Sequence, residues 1–130
     1  MVTITALSTR EFTPLPLDGR RGFPQSFPVS FDGASYVFTL YVNADPAVLE
    51  DGPAFIPLPT DRSHLVVKVE RDEEDGSRET VFLRKVVPGL EYETGAIALR
   101  FDRQTVASNS LNTAGDFGSV VEGGIARRWA

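Results

Sequence analysis

The 130-residue chain contains no cysteine, a single histidine and a single tryptophan, and each scarcity excludes a class of site. Without cysteine there is no disulfide framework, no thiol nucleophile and no cysteine-ligated zinc. One imidazole cannot supply a two-histidine metal site within one chain. The 13 basic residues are outnumbered by 18 acidic ones, whereas proteins that bind nucleic acid usually carry a basic surplus. We therefore expect no nucleic-acid partner. Since no apolar run approaches the roughly 18 residues of a membrane-spanning helix, we also expect no membrane insertion.

The residues in excess are those that interrupt helices. Eleven glycines and nine prolines punctuate the chain, and they favour turns and extended segments over long helices. Hydrophobic residues make up 42%, which is enough for a buried core at this length. Together with the strand patterns described next, the composition predicts an all-β fold. We expect a small antiparallel sandwich or partly open barrel of about six or seven strands.

The clearest local pattern lies at residues 26–42. Phe27, Val29 and Phe31 alternate with other residues, and an Asp32-Gly33 pair follows. This pair favours a tight hairpin turn because glycine tolerates positive φ. Aromatic and β-branched residues then alternate through the next nine positions, as is typical of a second strand. We expect the first three residues to pair across the turn with Tyr36, Phe38 and Leu40.

A second hairpin is predicted at residues 64–87, on either side of an acidic turn. Its first strand alternates so that one face carries Leu65, Val67 and Val69. A further strand is predicted at residues 96–103. The residues on its apolar face are Ile97, Leu99 and Phe101.

The remaining segments are less regular. Residues 1–25 contain three prolines, and they are interpreted as an extended arm with a short edge strand at residues 2–7. Residues 43–63 contain four prolines and are interpreted as a loop, with a helical turn at residues 46–50 as the open alternative. The apolar residues of this loop that are expected to pack beneath the sheet are Phe55, Ile56 and Leu58.

The chain is expected to divide after residue 103. Residues 1–103 would form the β-domain, and residues 104–130 would form a C-terminal assembly tail outside the compact core. Four glycines between positions 115 and 124, and few large apolar side chains, predict that this tail cannot order itself by burial. Truncation after Arg103 is therefore expected to leave the domain folded. The predicted partner-binding residues are those of the tail that are large or basic: Phe117, Ile125, Arg127, Arg128 and Trp129.

No catalytic, cofactor-binding or metal-binding pattern is found in the sequence. His64 has no recognisable nucleophile near it in the pattern, which favours a structural role over a general base. The acidic residues 70–76 lack the spacing of a calcium-binding loop and predict a solvated turn. We therefore expect no enzyme, no cofactor and no metal. Tyr36, Tyr41 and Trp129 would suit stacking on sugar rings, although strand aromatics more often belong to a core.

One segment, residues 25–43, combines a polar start, an alternating strand, an Asp-Gly turn and a tyrosine-containing strand that ends at an asparagine. The residues that carry this pattern are Gln25, Phe27, Val29, Asp32, Gly33, Tyr36, Leu40 and Asn43. The segment resembles the opening of the small baseplate plug proteins of contractile-tailed phages. Residues 80–90 are similar to the closing strand of the same family.

The resemblance implies a structural component of a phage or phage-derived contractile tail, a plug-like protein associated with the baseplate or hub. The implied partners are other tail or baseplate proteins, of the hub or the tube, with homo-oligomeric packing inside the assembly. The implied location is the tail of the virion, after assembly in the host cytoplasm, and no catalytic residues are implied. The open alternative is a β-sandwich binding module for a carbohydrate or a peptide.

Overall fold

A computed structural model describes residues 10–46 and 54–129, and within them the chain folds as two antiparallel β-sheets that do not close into a barrel. The expected all-β class is confirmed. The strands are β1 (Thr13–Pro14), β2 (Gln25–Phe31), β3 (Ala34–Ala44), β4 (Phe55–Pro57), β5 (Ser63–Asp72), β6 (Arg78–Val86), β7 (Glu91–Thr94), β8 (Ile97–Ala107) and β9 (Val120–Arg127). Two short 3-10 helices, at Gly19–Arg21 and Ser108–Ser110, complete the described structure.

The two sheets differ in how far their strands are separated along the chain. The first sheet has the order β1-β9-β8-β4, with β7 also paired to β8, so it joins the two ends of the described chain. The second sheet has the order β2-β3-β5-β6 and is built from two successive hairpins. The expected edge strand at residues 2–7 and most of the alternative helical turn at residues 46–50 lie outside the described residues.

The first predicted hairpin is confirmed as β2 and β3. Phe27 lies opposite Phe38 and Val29 opposite Tyr36, whereas Leu40 lies opposite Gln25. The turn residues Asp32 and Gly33 both have positive φ, at 51° and 81°, the combination that a two-residue hairpin turn matching the strand twist requires. The Phe27 and Phe38 rings stack with centroids 5.6 Å apart, so the hairpin contributes aromatic packing to the core.

The core lies between the two sheets and is filled by the predicted apolar faces. Leu65, Val67 and Val69 are buried from the second sheet, and Ile97, Leu99 and Phe101 are buried from the first. The loop residues Ile56 and Leu58 are buried as expected. Phe55 is a correction: its side chain is 50% exposed, because β4 alternates and only Ile56 of its three residues faces inward.

The expected division after residue 103 is wrong. Strand β8 continues through that position to Ala107, and β9 pairs with β8 on one side and β1 on the other. The side chains that this segment buries are Gln104, Val106, Ala107, Ser110, Val121, Ile125 and Ala126. Ile125 is only 1% exposed, so in the folded chain it is a core residue and not a partner-binding one.

The glycines of β9 explain why the sequence predicted a tail outside the compact core. A Cβ on Gly123 would lie 2.6 Å from the Phe101 ring, and a Cβ on Gly124 would lie 2.8 Å from Cβ of Phe12. Both glycines therefore permit close packing against a neighbour instead of marking a segment without structure. The few apolar side chains of β9 suffice because large residues of β8 and of the preceding arm fill the space that the glycines leave.

The described part of the arm is also fixed to the first sheet. Thr13 pairs with Ile125, and the backbone N–H of Leu15 donates to the carbonyl oxygen of Gly123 at 2.9 Å. Further along, Gly22 has a φ of +74°, and a Cβ there would lie 2.3 Å from the carbonyl oxygen of Thr113. This close approach holds the loop between β8 and β9 against the arm.

Candidate interaction surfaces

The predicted partner-binding residues that remain exposed lie at opposite ends of β9. Phe117, 37% exposed, precedes the strand, and Trp129, 65% exposed, follows it. At roughly 3.3 Å per residue, the ends of this eight-residue strand are about 23 Å apart. These residues therefore do not form one site, and each end is described separately.

A groove opens at the end of the first sheet where β9 begins. Its cavity of about 450 Å³ is within the range of ligand-sized pockets. The groove is lined by Pro57, Leu58, Pro88, Asp102, Arg103, Gln104, Thr105 and Val120. Three strands bring these residues together, since Pro57 of β4 lies opposite Thr105 of β8, which lies opposite Val120 of β9.

An aromatic rim, Phe55 and Phe117, lies at the same end of the sheet. Phe55 packs on Gly118, where a Cβ would lie 3.1 Å from the ring, and Phe117 folds back over Gly115. The supporting loop is tied to β8, because the N–H of Ala107 donates to the Ser119 hydroxyl at 2.8 Å. Phe55 was not among the predicted binding residues, and the signal that marks it is its alternation with Ile56 in a three-residue strand.

The two charged side chains that line the groove, Asp102 and Arg103, form ion pairs at the protein surface with residues outside it. Arg103 Nε lies 3.2 Å from Glu122 Oε1, and Arg100 Nε lies 2.9 Å from Asp102 Oδ1. Both acidic side chains are more than half exposed. Exposed ion pairs of this kind contribute at most about 1 kcal/mol, so these carboxylates can exchange partners at little cost.

The opposite end of β9 presents Trp129 on a fixed backbone. The N–H of Arg128 donates to the carbonyl oxygen of Ala96 at 3.0 Å. The Arg128 guanidinium lies 4.9 Å from the centroid of the Trp129 ring, which is a cation–π distance. Arg127 Nη2 lies 3.0 Å from Asp32 Oδ1 in the β2–β3 turn. Two arginines therefore flank the most exposed large apolar side chain of the described residues.

Arg10 joins the arm to this end of the sheet. Its guanidinium lies 2.6 Å from Glu91 Oε1, also contacts Glu93, and donates to the carbonyl oxygen of Arg128 at 3.0 Å. The hydrogen bond to Glu91 is the largest cause that raises the pKa of Arg10 above its usual value. The contacts hold the residue before Trp129 between the arm and β7.

The aromatic residues considered for sugar stacking do not form a shared platform. Tyr36 is buried in the core, where loss of hydration raises the pKa of its phenol. Tyr41 is partly exposed on the second sheet, while Trp129 follows the last strand of the first. Arg127 contacts the β2–β3 turn, and Tyr41 lies nine residues beyond Asp32 along the hairpin, so Tyr41 and Trp129 are far apart.

The remaining polar candidates lie elsewhere. His64 is half-buried on β5 opposite Asn43. In the acidic turn, Arg71 pairs with Glu73 at 3.0 Å, and a hydrogen bond from Ser77 lowers the pKa of Asp75.

Within the described ranges, no three histidine, aspartate or glutamate side chains are grouped so as to hold a metal ion. The same ranges contain no helix long and apolar enough to cross a membrane.

No protein family, curated protein or solved structure matches the chain.

Proposed function

We propose that the chain is a structural component of a phage or phage-derived contractile tail, a plug-like protein associated with the baseplate or hub. The resemblance to the plug family supports this proposal, and the residues that carry it fall on β2, its turn and β3. The proposed role is that of a non-catalytic part held by its neighbours. Its partners would be other baseplate or tail proteins.

The observation that carries the proposal is the groove with its aromatic rim. Soluble proteins often expose single apolar residues, but a contiguous apolar surface marks a place where another molecule packs. Here Pro57 and Val120 line the groove, and two exposed phenylalanines lie at the same end of the first sheet, Phe55 on β4 and Phe117 in the loop that precedes β9. Aromatic residues of this kind are enriched at the centres of protein interfaces.

The proposal is tested on tail particles purified from the source of the sequence. An antibody raised against the isolated chain should label the particles at the tail tip in electron micrographs. Particles assembled with a Phe55→Ser chain should lose the label, whereas those with a matched Tyr41→Ser change on the other sheet should keep it. Unlabelled particles, in preparations where the soluble fraction contains the chain, would overturn the proposal.

For the alternative of a binding module, the positions of the aromatic residues favour a peptide ligand over a carbohydrate. Sugar binding by Tyr36, Tyr41 and Trp129 would require a common face, which they do not share. A peptide would bind in the same groove, so this alternative differs from the proposal only in the molecule that occupies the groove. A chain that binds free peptides tightly, and that is absent from tail particles, would support that alternative.

A further inference from the structure

The described part of the N-terminal arm is attached to the rest of the protein at two separate places. The outer arm, residues 10–15, contains β1 and lies along β9. The inner arm, residues 18–25, is attached to the loop between β8 and β9, where the N–H of Phe23 donates to the carbonyl oxygen of Ser110 at 2.9 Å. Because the two attachments are independent, the outer arm can leave its site while the inner arm stays in place.

The two parts of the arm are joined by a turn at Pro16. The N–H of Leu17 donates to the carbonyl oxygen of Leu15 at 2.8 Å, which closes a γ-turn around the proline. The proline ring fixes φ near about −65°, a value that suits both this turn and extended backbone of the polyproline type. The turn therefore opens through a single torsion angle, ψ of Pro16, and the exposed proline ring buries nothing that opening would uncover.

The outer arm is held to the sheet more by its side chains than by its backbone. Strand β1 has only two residues, and one of them, Pro14, has no N–H to donate. The guanidinium of Arg10 lies 2.6 Å from Glu91 Oε1 and also contacts Glu93. It donates as well to the carbonyl oxygen of Arg128 at 3.0 Å. The site on the sheet is therefore specific for the side chains of this particular segment.

The packing of the outer arm against the sheet is incomplete. The Phe12 ring is covered by the Arg100 guanidinium, 4.3 Å from its centroid, and Leu15 is buried in the core. A cavity of about 310 Å³ nevertheless lies at the junction of arm and sheet, lined by residues of both. Protein interiors are normally close-packed, so the cavity marks a contact that separates more easily than the core does. Leu15 is the exception, since its removal exposes apolar surface on the arm and in the core.

We propose that the chain dimerises by exchange of outer arms, so that the outer arm of each copy lies along β9 of the other. Arg10 of one copy then binds Glu91 and Glu93 of the second, and Leu15 fills the equivalent place in the second core. Every contact of the outer arm is retained, because the site that receives it is identical. An arm that opened without replacement would leave the place of Leu15 empty, so exchange is favoured over simple opening. Reciprocal exchange of an identical element produces a closed, symmetric dimer at low cost.

The exchange goes beyond the proposed function and does not depend on it. It uses the contacts of the outer arm, whereas the proposed function uses the groove. Absence of the chain from tail particles would contradict the proposed function and leave the exchange intact. A chain that is present at the tail tip but monomeric when isolated would contradict the exchange alone.

The experiment reverses the charges on either side of the Arg10 contact in the full chain. The first variant carries Arg10→Glu, and the second carries Glu91→Lys together with Glu93→Lys. In each variant alone, like charges meet both within one chain and between two identical chains. Each variant should therefore dimerise at least about tenfold more weakly than the natural chain. Sedimentation at increasing protein concentration measures the dimer fraction, and the natural chain should become dimeric over the range.

Mixing the two variants gives the decisive result. The outer arm of the first variant then meets the reversed site of the second, while Arg10 of the second meets the natural site of the first. Both contacts are attractive only between the two different chains, so the mixture should form a one-to-one dimer that neither variant forms alone. Asp72→Arg and Arg78→Asp, which reverse an exposed 2.9 Å ion pair of the second sheet, are the matched control pair. These control variants should dimerise like the natural chain, whether alone or mixed.

Circular dichroism should show that all variants are folded. If a reversed variant loses its fold, Arg10→Ala removes the contact without repulsion and should weaken dimerisation in the same direction. A natural chain that stays monomeric at all accessible concentrations would refute the proposal, because the arm would then bind only its own chain. A natural dimer that survives the reversals, or variants that form no mixed dimer, would refute it as well, because the dimer contact would then lie elsewhere.

Discussion

Replacement of Gln104 tests how the two sheets are joined beside the groove. Gln104 lies on β8 of the first sheet and is only 3% exposed. Its Nε2 donates to the carbonyl oxygen of Val86, at the end of β6 in the second sheet, at 3.1 Å, and to that of Leu58 at 3.4 Å. Its Oε1 has no hydrogen-bond partner among the described residues. One amide group therefore links the sheets while leaving one acceptor unpaired.

The size of the effect follows from these contacts. Gln104→Leu leaves the Val86 carbonyl without its donor, at a cost of about 1–3 kcal/mol, while the longer Leu58 contact counts for less. Removing the unpaired Oε1 offsets part of that cost, so we expect a net loss of about 1–2 kcal/mol. For a domain of this size the melting temperature should fall by about 4–8 °C. Thermal unfolding followed by circular dichroism measures the change.

Gln104→Glu adds a pH dependence of known sign. A carboxylate there would face two carbonyl oxygens and little water, so its pKa in the folded chain is raised above the unfolded value of about 4.3. The variant should approach the natural stability near pH 4, where its carboxyl group is protonated, and lose stability as the pH rises toward 7. Natural protein melted at each pH is the control. A Glu variant as stable as the natural chain at pH 7 would show that the site is hydrated and the reasoning wrong.

Three further predictions concern core packing, the ionisation of a buried tyrosine and the strand pairing of the first sheet. Gly123→Ala should lower the free energy of unfolding by about 1–3 kcal/mol in chemical denaturation, because its Cβ would lie 2.6 Å from the Phe101 ring. Adding Phe101→Leu should recover part of this loss, and additive losses in the double variant would contradict the prediction. Burial raises the pKa of Tyr36, so stability should fall as the pH rises above about 10, and Tyr36→Phe should reduce that fall in melts at alkaline pH. A chain truncated after Arg103 lacks β9 and the end of β8, so it should show no cooperative melt; a folded truncated chain would contradict the sheet pairing.

The second sheet was predictable because the residues that define each of its hairpins lie close together in the sequence. Each hairpin has an alternating apolar face and a turn with suitable residues, and short connections keep the paired strands adjacent in sequence. Phe27 and Tyr36, for example, are nine positions apart and face the same core. The sequence pattern therefore predicted the four strands and the inward faces of β2, β3 and β5, while the inward face of β6 was left open.

The first sheet was only partly predictable because its pairings are distant. Strand β1 pairs with β9 across more than 100 residues, and both elements are interrupted by proline or glycine. Thr13 and Pro14 show no alternation that would distinguish a two-residue strand from a loop. Gly123 and Gly124 lower the strand propensity of β9, yet they permit the contacts with Phe101 and Phe12 that hold it. Such compensation depends on tertiary neighbours, which local propensity does not include.

Only some residues of the candidate surfaces were predicted from the sequence. Trp129 and Phe117 were found as large side chains in a segment with few others, and both are exposed. Ile125 was assigned to the same surface because its burial depends on β8, which lies opposite it in the sheet. Phe55 was assigned to the core since an apolar residue near a strand is more often buried than exposed. The groove itself joins three strands that are far apart in sequence, so no local pattern predicts it.

One irregularity in β8 explains both how this strand continues past residue 103 and where the groove lies. The pairing with β9 shifts between Phe101 and Arg103, so one extra residue is inserted into β8. Before the shift, Leu99 and Phe101 face the core; after it, Gln104 and Val106 do. An uninterrupted alternation would place Arg103 inward, whereas the bulge leaves it exposed while the strand continues to Ala107. The bulge turns Asp102 and Arg103 outward together, where both line the groove, and directs Gln104 toward the second sheet. Bulges commonly redirect side chains beside functional surfaces, and here the same inserted residue continues the strand and shapes the proposed binding site.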